Sequence, residues 1–379
     1  MAFVEHRAAG HARAYLGVLL RSARAAGAQT LVMGPASLAE ALADEPMDAF
    51  VALPDLWAAP RWRREPARFR FVWWALAEAR RAGVDLLHWA HLDTIVVPVA
   101  WLSGAAPAAA TLHRTYFLAP GGRVGRAVYR RLLVTQAFRR LTRAWPVFVH
   151  DEGVAAALAS RLGVGVQHVC YPATVDGWPQ GEARAHRRVL QRRAWGLDDD
   201  AVALLAFGGT RVEKRLDVAV AALHHLPPHV HLVVEGAPQE VGGHEIAAWA
   251  RAADVAGRVL LRLGHVDEVR VPDVFAACDA VVAPYATGFG GVSGPVSLAA
   301  AYGVPVVVSD IPELAAGLRA FRLGAFARPG DAVSLAEAVT TALAQPPAAD
   351  DTARFVAAHH EAQFGRLMVA AYLEALGLR

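Results

Sequence analysis

Lysine is almost missing from this chain. Of its 38 basic residues 37 are arginine, and the one lysine is Lys214. A position that keeps lysine in such a composition points to chemistry that arginine supplies less well: a compact point charge on a flexible stem. Cysteine is nearly absent too. Cys170 and Cys278 stand alone and far apart, which excludes a disulfide framework and a zinc cluster and sets the expectation of a reduced, cytoplasmic compartment. Charge is sparse, at 19% of residues against 55% hydrophobic, and low-complexity tracts are lacking, so disorder beyond loops is excluded and large buried cores are within reach. No cationic leader with an apolar core opens the chain, because Glu5, His6 and Arg7 interrupt it. One stretch, residues 94–112, carries no charge for 19 residues. Pro98, Gly104 and Pro107 break it, so a buried helix, a loop and a strand are expected there instead of a membrane span.

What is present is unevenly spread. Residues 1–180 hold 20 Arg against 13 acids, a balance of +7, whereas residues 181–379 hold 18 basic against 22 acidic, a balance of −4. Eight of the ten tryptophans also lie in the first 180 residues. At 379 residues two domains are expected. Short apolar runs at 2–5, 30–33, 49–53, 86–89, 109–113 and 147–150 alternate with helix-length segments such as 71–82 and 127–143. That alternation predicts parallel strands with helices on both faces, an α/β doubly wound sheet. Turn residues gather between Tyr171 and Gly181, a predicted linker, and the pattern restarts at 202–207, 230–235, 259–263, 280–284 and 304–309. The last 25 residues, with Phe364, Leu367, Met368, Ala371, Tyr372 and Leu376 at helical spacing, predict one more amphipathic helix.

The second half opens on FGGTRVEKRLD, residues 207–217. An apolar strand, a glycine turn, Arg211 and Lys214, then a helix N-terminus make a place to hold anionic phosphate. The competing reading is a surface ion pair of these cations with Glu213 or Asp217.

Several pieces in order resemble the GT-B glycosyltransferases of the retaining family 4 type. They are Gly10-His11 after the first strand, Thr111-Leu112-His113, the turn 207–214, Leu263-Gly264-His265-Val266, Val282-Ala283-Pro284-Tyr285, and the segment from Ser293 to Asp310 that contains GVPVVVSD. The resemblance implies two Rossmann-like domains facing across a cleft. The acceptor domain would be residues 1–175 with a returning helix at 355–379, and the nucleotide-sugar donor domain residues 176–354. It further implies that Arg211 and Lys214 grip the donor diphosphate, with Gly209 in the turn beside them. Gly264, His265 and Val266 would pass the nucleotide base, and the amides of Gly290, Gly291, Ser293 and Gly294, up to Pro295, would face the distal phosphate. His113 would lie near the transferred sugar and Gly10 opposite the diphosphate. No cofactor or metal is expected, since the donor sugar is a substrate. The chain departs from the family at one point: Gly290 and Leu298 stand where two glutamates eight positions apart are usual. A catalytically silent nucleotide- or partner-binding protein is therefore the alternative, and Glu235 or Glu313 are the carboxylates that could serve the sugar from elsewhere.

His88 and His91 could pass for a metal pair, but a spacing of three on a strand sends them to opposite faces, and no carboxylate or cysteine stands at ligand spacing. Asp198-Asp199-Asp200 reads as a solvated turn. The arginine-rich, apolar stretches 62–74 and 123–143 carry no nucleic-acid motif, so a partner of that class is not expected. An anionic membrane face is, with a lipid-linked or cell-envelope glycan as acceptor and peripheral attachment at the inner membrane. The alternative is a solvated helix face whose arginine stems cover apolar surface.

Overall fold

A computed structural model of the chain describes residues 1–8, 11–60, 63–104, 106–114, 126–173, 175 and 177–378. It divides into two units. Met1–Pro172, Gly290–Val292 and His359–Arg379 form the first, Ala173–Phe289 and Ser293–Ala358 the second.

The first unit is built on strands β1 (Ala2–Val4), β2 (Leu31–Gly34), β3 (Ala49–Ala52), β4 (Leu87–Trp89), β5 (Ala108–Thr111), β6 (Val147–Val149) and β7 (Gln167–His168). All pair in parallel, in the order β3-β2-β1-β4-β5-β6-β7. Helices α1 (His11–Ala25), α2 (Ala36–Ala41), α3 (Arg64–Arg81), α4 (Val96–Leu102), α5 (Arg126–Ala144) and α6 (Glu152–Leu162) make the crossovers. Strand alternation separates two cores. Ala2 and Val4 pack with Phe71, Val99 and Phe138, while Phe3 packs on the other side with Leu16 and Leu19. Helix α6 shows the local logic: Asp151 caps its start by accepting from the Val154 amide, and Gly163 at φ 63 ends it. The charge-free stretch 94–112 resolves into α4, a loop and β5, and no described helix is long and apolar enough to cross a membrane.

The second unit carries α7 (Gly181–Trp195), β8 (Val202–Phe207), α8 (Leu216–Ala222), β9 (Val230–Gly236), α9 (Gly243–Ala252), β10 (Val259–Leu263), α10 (Val271–Ala277), β11 (Ala280–Ala283), α11 (Gly294–Ala301), β12 (Val306–Ser309), α12 (Pro312–Ala320), β13 (Ala325–Ala327), α13 (Ala332–Ala344) and α14 (Ala349–Ala358). Its parallel order is β10-β9-β8-β11-β12-β13. In the predicted linker, Trp178 stacks on Tyr302 with ring centroids 4.1 Å apart.

Three features differ from the sequence reading. The outer strands β7 and β13 were not anticipated, because two and three residues make too short a run to read as a strand. The chain changes units at Pro172 and His359 instead of 175 and 355. The C-terminal stretch is two helices, since the chain breaks at His359 and His360 before α15 (Glu361–Ala375). Helix α15 lies on α1, where Gly365 admits the Ser22 side chain so closely that a Cβ would collide with its hydroxyl.

In both sheets the strand order reverses once, beside β1 and β4 in the first and beside β8 and β11 in the second. In open parallel sheets such reversals open a crevice at the carboxyl ends of the strands, which is where ligands bind.

Candidate functional site

In the second unit the reversal falls on the FGGTRVEKRLD turn. Gly208 follows β8 at φ 90, a conformation that glycine adopts without a steric penalty. Its amide donates to the Glu235 carbonyl at 2.8 Å, and Gly236 on β9 comes so near that a Cβ there would meet the Gly208 carbonyl at 2.5 Å. Thr210 pins the loop from within, its hydroxyl donating to Val241 O at 2.6 Å and accepting from the Gln239 amide at 3.0 Å. A single 3-10 turn over Val212–Lys214 follows, and Arg215 at φ 49 reverses the chain into α8.

That reversal drives the Lys214 side chain inward. It is 8% exposed, and its Nζ donates to the Phe207 carbonyl. With Ala206, Phe207, Leu216, Tyr285 and Pro295 it lines a small pocket. Pro295 belongs to the first turn of α11, whose N-cap Ser293 shares a hydrogen bond of 3.0 Å with the Tyr285 hydroxyl. A buried cation, a tight glycine turn and a helix N-terminus thus surround one pocket, an arrangement that favours an anion. The competing ion-pair reading holds for Arg211. Arg211 lies 3.1 Å from Glu213, but Asp217 is taken by Arg215 at 2.8 Å.

Other expected residues fall less simply. Within the predicted amide run, Pro295 has no N–H, so donors stop at Gly294 and resume at Val296. Gly264 follows β10 and gives its amide to Gly236 O at 3.0 Å. His265 is exposed, 3.9 Å from Asp267, and Val266 packs on the core. Glu235, one of the two carboxylates considered for the sugar, accepts from the Trp195 indole at 2.8 Å, and burial raises its pKa. Gly10 lies outside the described residues, as do Trp62 and Arg123.

His113, Gly290 and Gly291 belong to the first unit, where Arg114 and Gly291 form an antiparallel bridge and a Cβ on Gly291 would come within 2.6 Å of His113 O. His113 is 9% exposed, with Tyr15 edge-on to its ring at 4.7 Å. Around it lie groups that the sequence reading missed. Glu5 and the Asp93 side chain are buried, and both flank His91, with Asp93 Oδ2 3.2 Å from Nε2 and Glu5 Oε2 3.7 Å from Nδ1. Carboxylates thus stand beside His91 although none was expected at ligand spacing in the sequence, because one follows β1 and the other lies in the turn after β4. His88 faces elsewhere, bonded to Thr111 and Tyr372, and no group of three potential metal ligands occurs among the described residues. Burial pushes the Glu5 carboxyl up to about 8 and lowers His6 to about 3 and His150 to about 4.

Residues 201–345 match the family model of glycosyl transferases group 1, so the second unit carries a domain of that family. Over 141 residues, 36% of this chain and 32% of the relative, the sequence is 35% identical to the D-inositol 3-phosphate glycosyltransferase of Xylanimonas cellulosilytica. Over 247 residues, 62% of this chain and 61% of the relative, it is 28% identical to a UDP-N-acetylglucosamine–N-acetylmuramyl-(pentapeptide) pyrophosphoryl-undecaprenol N-acetylglucosamine transferase of Nocardioides. The chain thus spans about a third and about three fifths of these relatives. Among solved structures, sucrose-phosphate synthase from Thermosynechococcus elongatus superposes with a TM-score of 0.79 at 18% identity, covering 100% of this chain and 99% of that one. Anabaena HepE in complex with UDP gives 0.74 at 18%, covering 97% and 98%. The two parallel α/β sheets are therefore those of the GT-B fold.

Proposed function

We propose that this chain is a glycosyltransferase that moves a sugar from a nucleoside-diphosphate donor to an acceptor, with retention of anomeric configuration. The observation that carries the reading is the pocket at Lys214 within the group 1 domain. A diphosphate leaving group gains negative charge as the glycosidic bond breaks, and a fixed cation beside a helix N-terminus stabilises that charge without reorganising. Lys214 is assigned this role, with Arg211 joining when it exchanges Glu213 for phosphate. Ser293 and Gly294 open α11 toward the same anion, and Gly209 lets it approach the turn. Gly264, His265 and Val266 are proposed to border the base. His113, with Gly290 and Gly291 beside it, is proposed to face the transferred sugar.

Uridine donors are the first to try, since HepE was solved with UDP. A lipid-linked acceptor is supported by the undecaprenol-linked substrate in the name of the Nocardioides relative and by the basic, tryptophan-rich first half. The test is incubation with a panel of nucleotide sugars while nucleoside diphosphate release and product anomer are followed. Folded protein that turns over no donor would sink the enzyme reading.

One observation favours a second reading, a silent nucleotide binder: Gly290 and Leu298 replace the paired glutamates and Glu235 is bound to Trp195. Calorimetric uptake of a nucleoside diphosphate with neither hydrolysis nor transfer would select it.

A further inference from the structure

Behind His113 the carboxyl ends of β1, β4 and β5, adjacent in the first sheet, bring together residues that the proposed function leaves unused. Asp93 stands in the turn after β4, its side chain 1% exposed. Its Oδ1 accepts the His113 amide at 2.8 Å, and its Oδ2 lies 3.2 Å from His91 Nε2. The His91 ring in turn lies face to face with His113, centroids 4.4 Å apart and planes 19° from parallel. His113 Nε2 meets the Ala90 carbonyl at 2.9 Å. A carbonyl only accepts, so that nitrogen carries the proton and the neutral ring keeps its lone pair on Nδ1. Backbone, ring plane and tautomer of His113 are thus set by three different contacts: the first is made by Asp93 itself, and the ring plane by His91, whose Nε2 the Asp93 carboxylate faces at 3.2 Å without a hydrogen bond. Glu5 leaves this arrangement undisturbed. With its carboxyl pushed up to about 8 by burial, it faces His91 across 3.7 Å as a neutral acid at neutral pH.

We propose that Asp93 is a positioning residue: through the His113 amide and through His91 it sets which imidazole edge meets the transferred sugar. The inference rests on the reading of His113 given above, and it adds a role for a carboxylate that touches no donor atom. Asparagine separates the two halves of that role. Its amide oxygen still accepts the His113 N–H, but its NH₂ puts a donor in place of the carboxylate charge 3.2 Å from His91 Nε2, which disfavours a proton on that nitrogen.

The test uses the whole chain with Asp93→Ala and Asp93→Asn. Loss of orientation acts on the chemical step, so Asp93→Ala should lower kcat by about 100-fold with donor KM within about twofold, and Asp93→Asn should recover part of the loss. Unchanged kcat in folded Asp93→Ala would overturn the proposal, as would a loss confined to KM. A second readout needs no activity and stands even where no donor is turned over. In ¹⁵N-histidine spectra the wild type should show His113 protonated at Nε2, Asp93→Asn should shift the His91 proton away from Nε2, and Asp93→Ala should lose the ordered His113 pattern. His91 and His113 spectra identical to wild type in Asp93→Asn would refute the coupling, and that variant alone decides if Asp93→Ala does not fold.

Discussion

At the scale of single residues the chain's choice of one lysine among arginines is explained by the slot it fills. Lys214 is buried, its Nζ reaches the Phe207 carbonyl, and a Cβ on Gly208 would lie 3.1 Å from that nitrogen. A planar guanidinium with five donors cannot be satisfied in this space. Lys214→Arg should therefore lower kcat/KM, and Lys214→Ala should lower it further, by about 10- to 150-fold if one charge-assisted contact of about 1.5 to 3 kcal/mol is lost. Steady-state kinetics with thermal melts to verify folding makes the check, and wild-type activity in Lys214→Ala would remove the phosphate role. Lys214 could be read from sequence because composition made it an outlier beside a glycine turn. Asp93 and Glu5 could not, because a carboxylate's burial is decided by strands that meet only in the folded chain, and nothing adjacent in sequence encodes it. The same reason hides the engagement of Glu235, whose partner Trp195 is 40 residues away.

At the scale of elements, the strands that sequence anticipated are those lying in apolar runs of about four residues or more, the outer strands β3 and β10 included. Gln167–His168 and Ala325–Ala327 are only two and three residues long, too short a run to stand out in the sequence. What aligns the carboxyl ends of β8 and β9 is also not an apolar pattern but a backbone approach between two glycines. Gly236 at φ 146 lies against the Gly208 carbonyl, leaving 2.5 Å for any Cβ. Gly236→Ala combines an unfavourable backbone conformation with a collision against main chain. It should cost about 3 kcal/mol or more in urea unfolding and weaken nucleotide binding, because the Gly208 turn must move. Gly83→Ala is the control: φ is 62 there but nothing lies within 4 Å, so about 1 to 2 kcal/mol is expected with binding unaffected. Equal effects of the two substitutions would show that the strand-end contact is unimportant.

At the scale of the molecule, buried ionisable groups and surface composition each predict a bulk property. Between pH 4.5 and about 8 the folded chain keeps a proton on Glu5 that the unfolded chain has lost, so this group makes stability fall as pH rises. His6 and His88, lowered to about 3, and His150, lowered to about 4, act oppositely: between those values and 6.5 the unfolded chain holds protons that the folded one refuses, so stability rises with pH. Below 6.5 these histidines, joined by His231, outweigh Glu5 and the likewise raised Glu235, and above it Glu5 dominates, which puts the maximum near pH 6.5. Calorimetric Tm against pH should show it, with Glu5→Gln flattening the limb from 6.5 to 8 and leaving the acid limb in place. The surface makes a separate prediction. Trp73 and Trp74 on α3 are 57% and 42% exposed, Trp101 on the contacting α4 is 65% exposed, and Arg63, Arg70, Arg80 and Arg81 are exposed at or near α3. Aromatic rings beside arginines suit the interface of an anionic bilayer, each arginine near the surface adding about 1 kcal/mol. In co-sedimentation the chain should bind anionic but not neutral vesicles at low salt. Binding should weaken as salt shortens the screening length to about 8 Å at physiological strength. The Trp73→Ser, Trp74→Ser and Trp101→Ser triple variant should bind less at every salt concentration, because its loss is apolar and unscreened. A chain that stays in the supernatant with anionic vesicles at low salt would leave those tryptophans and arginines as solvated surface and make a soluble acceptor the better expectation.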